Sequence, residues 1–125
     1  MILDTCALLW LVNGDAKLSR ATFKKINEEP FIHISAISGF EVAYKAAKGQ
    51  LTLQNPAEEW FRKAVDRHGL TILPLDLTVC IMAAQLPPIH HDPCDRFIIA
   101  TAKLNNLAVV TADERFEEYG VKTLL

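Results

Sequence analysis

The 125-residue sequence lacks the features that mark membrane, secreted and nucleotide-binding proteins. No apolar run approaches the roughly 18 residues that a membrane span needs, and no signal peptide is evident at the start of the chain. Neither a GxGxxG nor a GxxxxGK[ST] motif is present, which argues against dinucleotide and P-loop binding. Cys6, Cys80 and Cys94 are odd in number and widely spaced, so we expect buried or half-buried thiols, no disulfide frame and a cytoplasmic protein.

Charge of either sign is also modest. The chain has 13 Lys and Arg, 15 Asp and Glu and a net charge of −2, which is not the composition of a generic nucleic-acid binder. If four acids were committed to a cation, the other 11 acids and the 13 basic residues would leave a net charge of +2. Overall charge therefore neither predicts nor excludes a polyanionic substrate. Length and a hydrophobic fraction of 50% indicate a single compact domain over residues 1–125.

Short apolar segments alternate with longer amphipathic ones along the whole chain. The alternation predicts an α/β fold in which helices cover both faces of a parallel sheet of four to five strands. Strands are predicted at residues 1–3, 31–34, 71–73 and 108–111, with a further edge strand at 121–124. Helices are predicted at 7–12, 19–27, 36–48, 56–68, 76–84 and 95–106. The fourth of these would have Asn55 as its cap and Pro56 at its first helical position.

Four acidic residues fall where such a fold would collect a ligand. Asp4 and Asp113 follow predicted strands, Glu41 lies early in the helix after the second strand, and Asp95 opens a helix. Ligands of parallel sheets bind beyond the carboxyl ends of the strands. Two carboxylates about 5 Å apart repel by roughly 3 kcal/mol at an effective dielectric near 20, and a divalent cation removes that repulsion. The set therefore predicts a metal site able to serve phosphodiester cleavage.

Each acid also has an ordinary structural interpretation. Asp4 and Asp95 precede predicted helices, where Asp is a common cap. Glu41 and Lys45 are spaced for an exposed ion pair, and Asp113 is acceptable as a turn residue. Their joint placement is what favours a functional site.

Other polar and aromatic residues are weaker candidates. His90, His91 and Asp92 have the composition of a metal tripod, but side chains of adjacent residues rarely converge on one ion. Asp92 is a better candidate for an auxiliary outer ligand. Arg96 and Arg115 flank two of the acids, so binding of a phosphate or carboxylate and surface ion pairing both stay open. We expect three aromatic residues to lie in the core: Trp10, Trp60 and Phe61.

Four segments, in order and spanning nearly the whole chain, carry a family resemblance. They are MILDT followed by ALLW at 7–10, SAISGFEVA at 35–43 continuing to KGQL at 48–51, LPPIH at 86–90 with DPCDRFIIA at 92–100, and VTADERF at 110–116. Together they resemble a PIN-domain protein of the VapC toxin type. Each motif is loose alone, whereas four in this order and spacing are specific.

The resemblance implies a Mg²⁺- or Mn²⁺-dependent endoribonuclease, the toxin of a type II toxin–antitoxin system. It implies an RNA substrate such as tRNA, cleavage by a metal-activated water that leaves a 5′-phosphate, a homodimer and a VapB-type antitoxin partner. Its acidic quartet maps onto Asp4, Glu41, Asp95 and Asp113, with the three aspartates holding metal and Glu41 completing the site or positioning the water. The third-motif ligand is assigned to Asp95 because that residue opens the predicted helix, and the nearby Asp92 is the alternative.

Two other functions are compatible with the same residues. The first is a catalytically silent PIN-fold module that binds RNA or protein partners; the presence of all four acids disfavours it. The second is a phosphatase of the haloacid-dehalogenase type, which would begin at Asp4. Such enzymes have a D-x-D pattern, and Cys6 in the second acidic position argues strongly against this function.

Overall fold

Five short strands form one parallel sheet in the computed structural model, which describes residues 1–125. The strands are β1 (Ile2–Leu3), β2 (Ile32–Ser35), β3 (Leu70–Leu73), β4 (Val109–Val110) and β5 (Thr123–Leu124). Their order across the sheet is β3-β2-β1-β4-β5, and every pairing is parallel. The predicted α/β fold is confirmed, including the edge strand.

Six α-helices and one 3₁₀ helix connect the strands. They are α1 (Thr5–Asn13), α2 (Arg20–Glu28), α3 (Ala36–Ala47), α4 (Ala57–His68), α5 (Leu77–Gln85), α6 (Pro93–Asn105) and the 3₁₀ helix Glu114–Tyr119. The predicted Asp4 cap is confirmed, because Asp4 accepts a backbone N–H from the first turn of α1, and Ser19 and Asp76 cap α2 and α5 in the same way. No helix of the structure has the length and apolarity needed to cross a membrane.

Two predicted helix starts are wrong, both near a proline. Pro56 has a ψ of 147° and is the cap residue of α4, so Asn55 lies one residue too early to cap it. Helix α6 begins at Pro93, where the fixed φ of proline suits the first helical position, and Asp92 caps it by accepting the Cys94 N–H at 2.9 Å. Asp95 therefore lies inside the first turn of α6, and its carboxylate is not used as a cap.

The core consists of two layers on opposite faces of the sheet, because adjacent residues of a strand point to opposite faces. Leu3 and Val110 pack with buried side chains of α1, α2 and α4. Ile2 and Val109 pack with α3, α6 and the 3₁₀ helix, where Phe116 is fully buried. The predicted placement of helices on both faces is confirmed.

The chain order of the strands creates one crevice in the sheet. From β1 the chain proceeds through β2 and β3 on one side, and then β4 and β5 lie on the other side. At such a switch point the connections leaving neighbouring strands run in opposite directions, which opens a space beyond their carboxyl ends. This space lies next to Asp4 after β1 and Asp113 after β4.

Candidate active site

An acidic cavity of about 350 Å³ occupies the crevice beyond β1 and β4. All four of the predicted acids line it, so the structure brings together the residues that the sequence pattern selected. The wall is formed by Asp4, Thr5, Cys6, Trp10, Glu41, Lys45, Asp92, Asp95, Ala112 and Asp113. Five carboxyl groups and one lysine thus share a small volume.

Asp4 lies in the cavity wall because it directly follows β1 and caps α1. The residue is 6% exposed, and its Oδ1 accepts the Ala7 N–H at 2.8 Å. Burial raises the pKa of Asp4, and the Thr111 hydroxyl is the main opposing influence. Asp4 therefore caps α1, as predicted, and is also a member of the acidic set.

Glu41 reaches the cavity from the second turn of α3. Its Oε2 accepts from the Lys45 Nζ at 2.9 Å, so the predicted ion pair forms, but Glu41 is buried and the expectation of an exposed pair is wrong. The other oxygen, Oε1, is buried and has no hydrogen-bond partner. An unpartnered buried carboxylate oxygen is costly and rare, so this atom fits a site in which a further ligand is held.

Asp95 faces the cavity from the first turn of α6. Its side chain is 20% exposed, and Oδ2 lies 3.0 Å from Nε2 of His90. Burial raises the pKa of Asp95 to about 7, and the nearby carboxylates Asp92, Asp4, Glu41 and Asp113 add to the rise. A divalent cation would offset the repulsion among these carboxylates and so lower the pKa of Asp95. Asp92 also lines the cavity, at its exposed rim, while its Oδ1 caps α6.

Asp113 is the most completely hydrogen-bonded acid of the set. Its Oδ1 accepts from the backbone N and the Nε of Arg115, both at 3.0 Å, and its Oδ2 accepts from Nη2 of Arg115 at 2.8 Å. These bonds lower the pKa of Asp113 to about 2. Phosphate and carboxylate were both possible ligands of Arg115. In the structure Arg115 binds a carboxylate, that of Asp113, in a bidentate pair at the cavity rim.

His90 is a site residue that the sequence did not select. The tripod of His90, His91 and Asp92 does not form, as the adjacency of these residues indicates: His91 is exposed, the Asp92 carboxylate caps α6, and the His90 ring is 2% exposed. Its Nε2 lies 3.0 Å from Asp95 Oδ2 and 2.9 Å from Asp113 Oδ2. The short separation of His90 and Asp95 along the chain is a signal from which their contact can be predicted. The contact of His90 with Asp113 has no such signal, because 23 residues separate the two.

Arg96 holds the segment that carries His90. Its guanidinium donates to backbone carbonyls between α5 and α6, including Leu86 at 2.6 Å, Pro87 at 3.0 Å and His90 at 3.0 Å. It also donates to the carbonyls of Ala83 and Ala84. The interpretations of Arg96 as a phosphate ligand or a surface ion pair are therefore wrong, because its donors are used inside the fold.

Replacing Arg96 with Met is expected to lower the free energy of unfolding by about 2–4 kcal/mol. The substitution keeps the length of the side chain but leaves several carbonyls without their charged donor. Urea denaturation followed by circular dichroism measures the change. Arg62→Met on the exposed side of α4 is the matched control, and equal stability of the two variants would contradict the assigned role.

The aromatic and cysteine predictions hold in part. Trp60 is buried in the core as predicted. Trp10 and Phe61 are half-buried and pack against the same core, and Trp10 also lines the acidic cavity. All three cysteines are free and two are half-buried as expected, but Cys6 is exposed in the cavity wall. As the second residue of α1, two positions after the Asp4 cap, Cys6 faces the crevice and not the core.

A doubly wound parallel α/β fold with a cluster of carboxylates at its switch point is the class of protein that these observations define. Within that class, the chain belongs to the PIN-domain family, since the model of that family matches residues 1–122. The family resemblance of the four sequence segments is thereby confirmed.

Individual relatives agree with this assignment. The chain is 29% identical over 120 residues to Ribonuclease VapC22 of Mycobacterium tuberculosis, which covers 95% of this chain and 91% of that protein. The fold matches that of VapBC2 from Rickettsia felis, solved bound to a DNA fragment from its promoter, with a TM-score of 0.74, 16% identity and coverage of 98% and 96% of the two chains. DNA-bound VapBC from Salmonella typhimurium matches with a TM-score of 0.68, 22% identity and coverage of 98% and 95%.

Proposed function

We propose that this PIN-domain protein is an endoribonuclease that depends on a divalent cation and acts as the toxin of a toxin–antitoxin pair. The observation that carries the proposal is the convergence of Asp4, Glu41, Asp95 and Asp113 on one cavity. The similarity to a protein named as a VapC ribonuclease adds support. The complete acidic set also disfavours the alternative of a catalytically silent binding module.

The donor set suits Mg²⁺ or Mn²⁺, which prefer carboxylate oxygens. Asp4, Asp95 and Asp113 would hold the cation, and Asp92 at the rim is an outer candidate. A bound divalent cation would supply a water of lowered pKa and stabilise charge on the leaving oxygen of a phosphodiester. The raised pKa of Asp95 and the unpartnered oxygen of Glu41 both fit a site built around a positive charge.

Glu41 and Lys45 have complementary tasks in this proposal. Lys45 fixes the carboxylate by donating to Oε2 at 2.9 Å. The buried Oε1 is thereby left as the acceptor that can orient an attacking water or take a proton from it. The Lys45 side chain is 43% exposed, so its charge also offsets part of the repulsion between the acidic cavity and an incoming phosphate.

The proposed substrate is RNA, with a structured RNA such as tRNA favoured by the family resemblance, and the products would carry a 5′-phosphate and a 3′-hydroxyl. We place the reaction in the cytoplasm, where three free thiols would stay reduced. The proposed inhibitor is a VapB-type antitoxin, since structures of the same fold are of VapBC pairs. A homodimer is supported by exposed apolar residues on α3, where Phe40 and Tyr44 stack at 5.5 Å and are 58% and 49% exposed.

The test is cleavage of total host RNA by the purified protein without antitoxin. We expect discrete products with Mg²⁺ or Mn²⁺, no products with EDTA, and 5′-phosphate ends that permit direct ligation of a sequencing adaptor. RNA binding without turnover under all these conditions would contradict the ribonuclease and favour the binding module.

A further inference from the structure

His90 joins two of the carboxylates that the proposed function assigns to the cation. We propose that His90 is a positioning residue that donates its Nε2 proton to Asp113, contacts Asp95 through the same nitrogen and so presets the separation of these two carboxylates. The inference rests on the proposed cation site and adds to it a residue outside the acidic quartet. His90 is not proposed to touch the cation or the RNA.

The hydrogen bonds of the ring assign its tautomer. The backbone N–H of Asp92 donates to Nδ1 at 3.1 Å, so Nδ1 carries the lone pair. In a neutral imidazole the proton then resides on Nε2. Nε2 lies 2.9 Å from Asp113 Oδ2 and 3.0 Å from Asp95 Oδ2. The Nε2 proton thus donates to Asp113, and an oxygen of Asp95 contacts the same nitrogen.

His90, Asp95 and Asp113 each have one possible ligand atom, and these atoms all lie within 4.8 Å of one another, as a shared metal ion would require. The hydrogen bonds of the ring nevertheless argue against His90 as a direct ligand. Coordination through Nε2 requires a lone pair there and hence a proton on Nδ1. That proton would point at the N–H of Asp92, and two donors would face each other. His90 instead contacts only the Oδ2 atoms, which leaves Oδ1 of Asp95 available to a cation.

The rest of the residue is fixed as firmly as the ring. The His90 backbone N donates to the Tyr119 hydroxyl at 2.7 Å, and its carbonyl accepts from Arg96 at 3.0 Å. The ring meets Phe116 edge-on, with centroids 5.9 Å apart. Every polar group of His90 therefore has a partner, and a side chain held in this way can orient ligands of a metal site.

Two substitutions separate the N–H from the bulk of the ring. His90→Phe keeps an aromatic ring against Phe116 and removes the donor, whereas His90→Gln places an amide N–H near the position of Nε2. We expect Mg²⁺, titrated by calorimetry without RNA, to bind His90→Phe about 10–100-fold more weakly than wild type. His90→Gln should recover most of the affinity, and the KM for RNA at saturating Mg²⁺ should change little in either variant.

A role in folding alone would lower stability in both variants and leave the Mg²⁺ affinity of the folded protein unchanged, which would overturn the inference. Absence of Mg²⁺ binding by wild type would contradict the proposed function itself. Equal Mg²⁺ affinity of wild type and His90→Phe would contradict only the role of His90.

The tautomer can be measured in the wild-type protein, so the test survives a variant that fails to fold. Long-range ¹H–¹⁵N correlation spectra should show His90 with Nε2 protonated and Nδ1 unprotonated, both without Mg²⁺ and at saturation. A proton on Nδ1, or loss of the Nε2 proton when Mg²⁺ is added, would overturn the inference.

Discussion

Replacing Asp95 with Asn is expected to slow RNA cleavage by more than about 100-fold and to leave the fold intact. Changes to residues that only orient metal ligands already cost about 10–100-fold in affinity or activity, and this substitution removes the charge of a proposed ligand. The shape of the side chain is kept, and the cap of α6 is unaffected because Asp92 provides it. Initial rates on a defined RNA at saturating Mg²⁺ measure the effect.

A loss of similar size is expected for Asp4→Asn, since Asn is also a good helix cap and should preserve the start of α1. The matched control is Asp66→Asn, an exposed aspartate on α4 that is not part of the cavity wall; its rate should equal that of wild type. Full activity in Asp95→Asn would contradict the proposed catalytic set.

Without metal, Asp95 is expected to destabilise the protein as pH rises. Its pKa is about 7 in the fold and 3.8 ordinarily, so between these values the folded protein keeps a proton that the unfolded chain loses. The free energy of unfolding therefore falls as pH rises through this window and stays low above it. After allowance for partial exposure of the side chain, the loss amounts to roughly 1–3 kcal/mol.

Denaturation in EDTA at about pH 5 and pH 8 measures this effect. At pH 8, Asp95→Asn should be more stable than wild type, and the difference should be smaller at pH 5. Mg²⁺ should reduce this difference in the free energy of unfolding by stabilising wild type. The pKa of Asp113 is lowered to about 2, so the stability contributed by this group is lost only in more acidic solution. An Asp95→Asn protein that is no more stable than wild type at pH 8 would contradict the prediction.

Much of the fold and of the acidic set follows from local pattern. The apolar run that ends at Asp4 and the run before Asp113 predict two strands, and the helices between them require parallel pairing. That topology alone places both residues at one edge of the sheet. The position of Glu41 required only that α3 follow β2 directly, which the pattern of residues 31–48 indicates.

The rest depends on contacts that have no local signature. Burial of His90 requires Arg96 to bind carbonyls of the preceding loop and Tyr119 to reach the His90 backbone from 29 residues away. Asp92, and not Asp95, caps α6 because Pro93 begins the helix. The assignment of residues 1–125 to a single domain, like the roles of the four acids, stays a prediction.

The location of a bound cation tests the four-carboxylate site most directly. Mn²⁺ at substoichiometric concentration broadens the NMR signals of nearby amides, so its position can be read without RNA or activity. Amide signals of Thr5, Arg96 and Glu114 should disappear first, while those of Gly69 and Ala108, at the amino ends of β3 and β4, should stay sharp. Broadening centred elsewhere, or an identical pattern in Asp95→Asn, would contradict a cation site formed by Asp4, Glu41, Asp95 and Asp113.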